Sequence, residues 1–273
     1  MLVTSVFWAL EATLVLVACM FFARATARVF REGGRIVPNV FSWVDVILAI
    51  ALILLLGGLA GATLWTPADT TAKLTADKVL PATLMVAALP ALLIVVLTAR
   101  GIALGRVTGA RAQSPLRTLG WTLLWFAASL PVLFSIALLS KLLLPAEQGE
   151  QEMVVLFRET VRGGNGVEIW SMVLAAAVIA PLAEEFLFRG YFYPVLKRNL
   201  GGIGAGFLSA TIFAAFHVNL ASLAALFVLA LCLTLAYEAT GSLLVPMGMH
   251  ALFNGANLFM MYGAERGFFT LPS

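Results

Sequence analysis

Apolar runs of about 20 residues, separated by short polar connections, constrain this chain more than any other feature of its sequence. Hydrophobic residues make up 62% of the 273 residues and charged residues only 11%, whereas soluble domains carry about 25% charged residues. Inside a bilayer every backbone polar group must be bonded within the protein, and long apolar runs meet that requirement as helices. The sequence therefore predicts an all-α, polytopic membrane helix bundle.

The number and position of the apolar runs predict about eight transmembrane helices. Four precede residue 150 and four follow it, so we divide the chain into two parts. Residues 1–150 form an N-terminal four-span region without a motif, and residues 151–273 form a four-span core that carries the motifs. The predicted spans are Leu2–Phe22, Phe41–Trp65, Val79–Leu97, Leu119–Leu144, Ile169–Leu196, Ile203–Val218, Ala221–Tyr237 and Leu243–Tyr262.

Basic residues in the connections orient the predicted bundle. The connections after the first, third and fifth spans are basic, and basic connections lie on the cytoplasmic side of a membrane. We expect a multi-pass integral protein of the cell (inner) membrane, in contact with the lipid bilayer. Since the net charge of +3 comes from these connections, it does not indicate a nucleic-acid partner. The loop predicted after the first span carries Arg24, Arg28, Arg31 and Arg35.

The fifth predicted span contains the charged residues Glu184, Glu185 and Arg189. A charge within hydrocarbon costs at least about 2.5 kcal/mol unless another group compensates it. Residues four apart share a helix face, so Glu185 and Arg189 are predicted to pair, while Glu184 points elsewhere, toward the bundle interior. Pro181 has no backbone N–H, which predicts a loosened helix about one turn earlier. A short helix is also predicted over Glu152–Arg162, ahead of this span.

Both histidines of the chain lie downstream of this carboxylate pair, each in its own apolar run. His217 ends the sixth span, and His250 lies in the eighth with Asn254 four residues later on the same helix face. Counting about 1.5 Å per residue from the helix ends predicts similar depths for Glu184 and His217, with His250 nearer the cytoplasmic surface. Any one of these residues fits a structural hydrogen bond, but their combination favours a functional site.

Two kinds of peptide hydrolysis fit these side chains. In a metal-free version, Glu184 and His217 activate water, while His250 and Asn254 donate hydrogen bonds to the oxyanion. In a zinc version, Glu184, His217 and His250 hold Zn²⁺, which lowers the pKa of a bound water. The compact His-Glu-x-x-His helix is missing, so we favour the metal-free version without a cofactor. A third interpretation is a non-enzymatic immunity or transport protein in which these groups relay protons.

Three short motifs in this half of the chain resemble those of the CPBP family of intramembrane proteases, which includes the CAAX prenyl proteases and the Abi group. The resemblance covers about Ile169 to Phe259, and three motifs in order are far more specific than any one alone. The family motif Glu-Glu-x-x-x-Arg is similar to Glu184, Glu185 and Arg189, Phe-x-x-x-His to Phe213 and His217, and His-x-x-x-Asn to His250 and Asn254.

The resemblance implies an intramembrane endopeptidase whose substrate is a membrane-anchored or lipidated protein or peptide. It implies Glu184 as the catalytic carboxylate with His217 as its partner, and His250 with Asn254 as the oxyanion site. Glu185 and Arg189 are then supporting residues. Glu238 departs from the family, which often has a basic residue there, so no substrate contact is carried over to that position.

Overall fold

The computed structural model describes residues 2–65, 75–109, 113–143 and 151–269, and within these ranges the regular structure is entirely helical. The predicted all-α fold is therefore confirmed. A short 3₁₀ turn covers Pro38–Val40, and two π-helical segments, Ala175–Ile179 and Phe186–Phe192, flank α8. The helices are α1 (Leu2–Glu32), α2 (Trp43–Trp65), α3 (Ala76–Ala99), α4 (Leu104–Thr108), α5 (Pro115–Leu143), α6 (Glu152–Gly163), α7 (Gly166–Leu174), α8 (Ala180–Glu185), α9 (Tyr193–Phe216), α10 (Leu220–Thr240) and α11 (Leu244–Glu265).

Five helical segments of the described chain are long and apolar enough to cross a membrane, which confirms a polytopic bundle. One of them, Gly166–Phe216, is 51 residues long and contains both the fifth and the sixth predicted spans. It bends inside α9 at Gly201, whose φ of 69° and ψ of 174° are not helical. With α2 and α11 added, each of the eight predicted spans has a helical counterpart. The five segments are Val6–Glu32, Ala76–Ala99, Pro115–Leu143, Gly166–Phe216 and Leu220–Thr240.

The first helix is longer than the sequence predicted. It does not end at Phe22 but continues to Glu32 and stops before Gly33, whose φ is +81°. Arginine and alanine are good helix formers, and arginine side chains can reach the membrane surface from the end of a span, so the basic stretch extends the helix. Arg24, Arg28 and Arg31, assigned above to a loop, therefore lie on one face of α1.

Helices from the two predicted regions pack together. Phe41 and Leu97, from the first region, share a buried cluster with Tyr191 and Phe213 from the second. Helix α5 packs against both α10 and α11, and α3 packs against α7 and α8. The division at residue 150, which follows the positions of the motifs, stays a prediction.

Two acidic residues in the bundle anchor helices to one another. Glu238 is buried on α10, accepts hydrogen bonds from Tyr193 Oη (2.5 Å) and the Ile36 amide (3.3 Å), and pairs with Lys197. It therefore joins α10 to α9 and to the segment after α1. Glu11 on α1 accepts a hydrogen bond from Ser135 Oγ on α5 at 3.3 Å.

The short helix predicted ahead of the fifth span is present as α6. Its apolar face buries Phe157 and Val161, as expected of a helix lying on the bundle. At its end, Arg162 Nε donates to Glu265 Oε2 of α11 at 2.7 Å. This hydrogen bond lowers the pKa of the Glu265 carboxyl below its usual value.

Candidate active site

The helix that carries the two glutamates is interrupted on both sides. Helix α8 lies between the π-helical segments Ala175–Ile179 and Phe186–Phe192, and such π segments are frequent at functional sites. In the first of them the Ala180 amide donates to the Ala175 carbonyl five residues earlier. Pro181 follows and has no N–H, so the next bond of this register, to Ala176, cannot form. The predicted loosening before Pro181 is thus confirmed.

Asn254 satisfies the carbonyl that Pro181 leaves free. Its Nδ2 donates to the Ala176 oxygen at 2.8 Å and so ties α11 to the first π segment. A carboxamide nitrogen carries two hydrogens, and this bond uses one of them. The predicted site residue Asn254 therefore has an architectural hydrogen bond and a second N–H still able to donate.

Glu185 stands at the centre of a buried chain of polar groups. Its Oε1 accepts from Arg189 Nη1 at 2.7 Å, so the predicted contact between residues four apart is present. The same oxygen lies 2.9 Å from His250 Nδ1, a contact that the sequence did not predict. Both side chains of the ion pair are fully buried, and Arg189 Nη2 also donates to the Ala230 carbonyl at 3.1 Å. Glu185 thus fixes the position of the His250 ring.

Glu184 lies on the other side of the same imidazole. Its side chain is 30% exposed, and its Oε2 is 3.9 Å from His250 Nε2, too far for a direct hydrogen bond. Oε2 is buried and has no hydrogen-bond partner among the described residues. Glu184 thus keeps an unpaired carboxylate oxygen beside the His250 ring, within the part of the chain that the structure describes.

His217 reaches the Glu184 side of the bundle from the end of α9. Its Nδ1 lies 2.8 Å from the Phe213 carbonyl, and because a carbonyl only accepts, Nδ1 carries the hydrogen in this contact. In the neutral ring Nε2 is then the acceptor. His217 and Glu184 line one cavity of about 270 Å³. The next residue, Val218, has a φ of +47°, a strained conformation for a β-branched residue beside the site.

Phe213 packs at the middle of this arrangement and is fully buried. Its ring centroid lies 4.8 Å from that of His217 and 5.8 Å from that of His250. The Arg189 guanidinium carbon lies 4.7 Å from the Phe213 centroid, within the range of a cation–π contact. Phe213 therefore contacts both imidazoles and the guanidinium. From the sequence, only its position four residues before His217 was apparent.

The depth predicted for His250 was wrong, because it lies beside Glu184 and Glu185 rather than nearer the surface. The prediction assumed that α11 begins at the membrane surface. Instead Leu243, just before α11, is fully buried and its amide donates to the Thr108 carbonyl of α4 at 2.7 Å. The turn before α11 is therefore inside the protein, so the start of α11 does not mark the membrane surface from which the depth was counted.

The three candidate zinc ligands, Glu184, His217 and His250, do not form a metal-binding group. In the described part of the chain no three His, Cys, Asp or Glu side chains are arranged to hold a metal ion. Nδ1 of each histidine is engaged, by the Phe213 carbonyl in one and by Glu185 in the other, which leaves Nε2 free on both rings.

Helices of the first region complete the cavity that holds Glu184. Leu56 of α2 and Val86, Leu89 and Pro90 of α3 form its opposite wall. No role was predicted for these residues, because apolar residues of a membrane span carry no signal of which ones face a cavity. The site thus depends on both predicted regions of the chain.

Comparison with known proteins finds that the segment carrying the candidate site matches a protein family. Residues 166–256, about a third of the 273 residues, match the family described as type II CAAX prenyl endopeptidase Rce1-like. The match covers both glutamates, both histidines and Asn254, and confirms the predicted resemblance over this segment. No curated protein and no solved structure matches the chain significantly.

Proposed function

Because residues 166–256 are similar to type II CAAX prenyl endopeptidases, we propose that this chain is an intramembrane endopeptidase. Its substrate is a lipidated or otherwise membrane-anchored protein, cleaved near the cytoplasmic side of the cell (inner) membrane. The observation that carries the proposal is the carboxylate of Glu184, partly exposed, without a hydrogen-bond partner on Oε2 among the described residues, and beside an oriented imidazole.

Glu184 acts as the general base with His217 as its partner. A water molecule in the shared cavity donates one hydrogen bond to Glu184 and one to the free Nε2 of His217. The water oxygen attacks the carbonyl carbon as its proton passes to Glu184, giving a tetrahedral oxyanion. When the C–N bond breaks, protonated Glu184 returns the proton to the leaving amine, which completes hydrolysis.

His250 and Asn254 stabilise the oxyanion. With Nδ1 held by Glu185, the His250 ring turns Nε2 toward the Glu184 side of the site, where a hydrogen on Nε2 would donate to the oxyanion. The second Nδ2–H of Asn254 supplies the other donor.

Direct assay of cleavage tests the proposal. The protein, reconstituted in vesicles, is mixed with a peptide bearing a prenylated cysteine near its C-terminus, and the released tripeptide is measured by mass spectrometry. We expect cleavage of the prenylated peptide and little cleavage of the same peptide without the lipid. Proton flux down a pH gradient without any hydrolysis would instead support the transport interpretation.

Removal of divalent metals is expected to leave the activity intact. In this proposal Glu184 is the base and His250 and Asn254 are the hydrogen-bond donors, without a Lewis acid. A strong chelator should therefore not lower the rate of cleavage. Activity is compared before and after chelation, together with zinc content by elemental analysis. Activity lost on chelation and restored by Zn²⁺ alone would favour the zinc-dependent version.

Replacing Asn254 with alanine is expected to lower kcat about 100-fold with little change in KM, because an oxyanion donor acts mainly in the transition state. The matched control is Asn257→Ala, since Asn257 is exposed and donates to the Phe253 carbonyl of its own helix. The difference in thermal unfolding between Asn254→Ala and Asn257→Ala measures the stability lost with the bond from Asn254 to Ala176. An unchanged kcat in Asn254→Ala would remove this residue from the oxyanion site.

A further inference from the structure

A groove lined by arginines lies apart from the candidate active site. It is bounded by α1, α5 and the C-terminal end of α10, and its volume is about 980 Å³. None of its lining residues lines the cavity of Glu184 and His217. Five arginines line it, namely Arg24, Arg28, Arg31, Arg35 and Arg117.

The positive charge in this groove is largely uncompensated. No acidic residue lines the groove within the part of the chain that the structure describes. Arg28 lies 3.7 Å from Glu32 in an exposed pair, and such pairs are weak in water. Arg24, Arg31 and Arg117 form no ion pair with any carboxylate of the described chain. The groove therefore offers several guanidinium groups to an anion.

The remainder of the groove wall is apolar and aromatic. Phe21 packs edge to face on Trp125 with ring centroids 4.8 Å apart, and Trp121 lies one turn from Trp125 on α5. Trp125 is only 2% exposed, and its Nε1–H has no acceptor among the described residues. Val17 and Met20 extend this surface along α1. The groove thus joins an apolar wall to a cluster of cations and holds a buried donor without a partner.

We propose that this groove binds one anionic phospholipid. The arginines hold the phosphate through paired N–H groups, and the acyl chains lie along the wall formed by Phe21 and Trp121. The arginines lie at the C-terminal end of α1 and the N-terminal end of α5, the ends predicted to face the cytoplasm, where anionic lipids attract clustered arginines. A free phosphate ion would leave the apolar wall unused, so the lipid is the occupant.

Lipid retention measures this binding independently of proteolysis. The full-length protein is purified in detergent with equal amounts of phosphatidylglycerol and phosphatidylcholine, and the bound lipids are quantified by native mass spectrometry. We expect about one phosphatidylglycerol per chain, with preference over phosphatidylcholine. The double variant Arg24→Gln/Arg31→Gln should bind at least about tenfold more weakly, since each basic residue near an anionic surface contributes to affinity.

A charge-matched variant separates a built site from general attraction. Arg106→Gln/Arg266→Gln also removes two exposed positive charges, but neither residue lines the groove, and retention should remain close to that of the unmodified protein. Phosphatidylglycerol brominated in its acyl chains should quench the tryptophan fluorescence of the unmodified protein more than that of Arg24→Gln/Arg31→Gln.

Three results would overturn the lipid site. They are equal retention of the two lipids, equal losses in the two double variants, and displacement of phosphatidylglycerol by millimolar inorganic phosphate, which would show a site for the free ion. Preferential binding of an acidic peptide over phosphatidylglycerol would also contradict the lipid site, and it would indicate a protein partner.

Discussion

Replacing Glu184 with glutamine is expected to lower kcat/KM for peptide cleavage by about 1,000-fold, because a general base contributes about 100- to 10,000-fold. Glutamine keeps the size of the side chain but cannot accept a proton from water. The side chain is 30% exposed and Oε2 has no hydrogen-bond partner among the described residues, so the fold loses little. Cleavage of the prenylated peptide and thermal unfolding are measured on the same preparation.

A second glutamate on the same helical run provides the control. Glu168 lies in the first turn of α7, outside the cavity, and Glu168→Gln should leave both cleavage and unfolding unchanged. Glu184→Ala opens space where the carboxylate was, and added formate should restore part of the activity if the missing function is a base. Normal cleavage by Glu184→Gln would end the proposal that this carboxylate activates water.

Replacing Arg189 with alanine is expected to destabilise the protein by about 3–5 kcal/mol, because removing one partner leaves a buried charge uncompensated. Glu185 is fully buried, and without Arg189 only the contact with His250 Nδ1 remains to its carboxylate among the described residues. For a chain of this size the loss corresponds to a fall in Tm of roughly 10 °C. Activity should also fall, since Glu185 fixes the His250 ring.

The charge and the geometry of Arg189 can be tested separately. Arg189→Lys keeps the charge but not the planar fork that reaches both Glu185 and the Ala230 carbonyl, so its stability should be intermediate. Arg162→Ala removes another paired arginine, one that is 66% exposed, and should change Tm little. If Arg189→Ala remains fully stable yet inactive, the ion pair does not support the fold.

Local patterns in the sequence were sufficient for several features of the fold. Residues four apart share a helix face in any helix, so the pair Glu185–Arg189 followed from spacing alone. Pro181 cannot donate a hydrogen bond, so the loosened segment before it followed from residue type. The eight apolar runs gave the eight helical counterparts by length and composition.

Contacts between distant segments were beyond reach of the same patterns. Each glutamate lies on a different side of His250, and this arrangement depends on the rotation and position of α11. The buried turn at Leu243 helps to set that position. The bond from Asn254 to Ala176 likewise requires two helices to be placed against each other.

The all-helical membrane bundle and the residue types of the candidate site could be predicted from the sequence, because both follow from local composition and helical period. The contact of Glu185 with His250, the closing of the Glu184 cavity by α2 and α3, and the arginine groove between α1 and α5 became visible only in the folded chain. Helix packing sets the rotation and relative position of each helix through many weak apolar contacts, which no single residue spacing encodes.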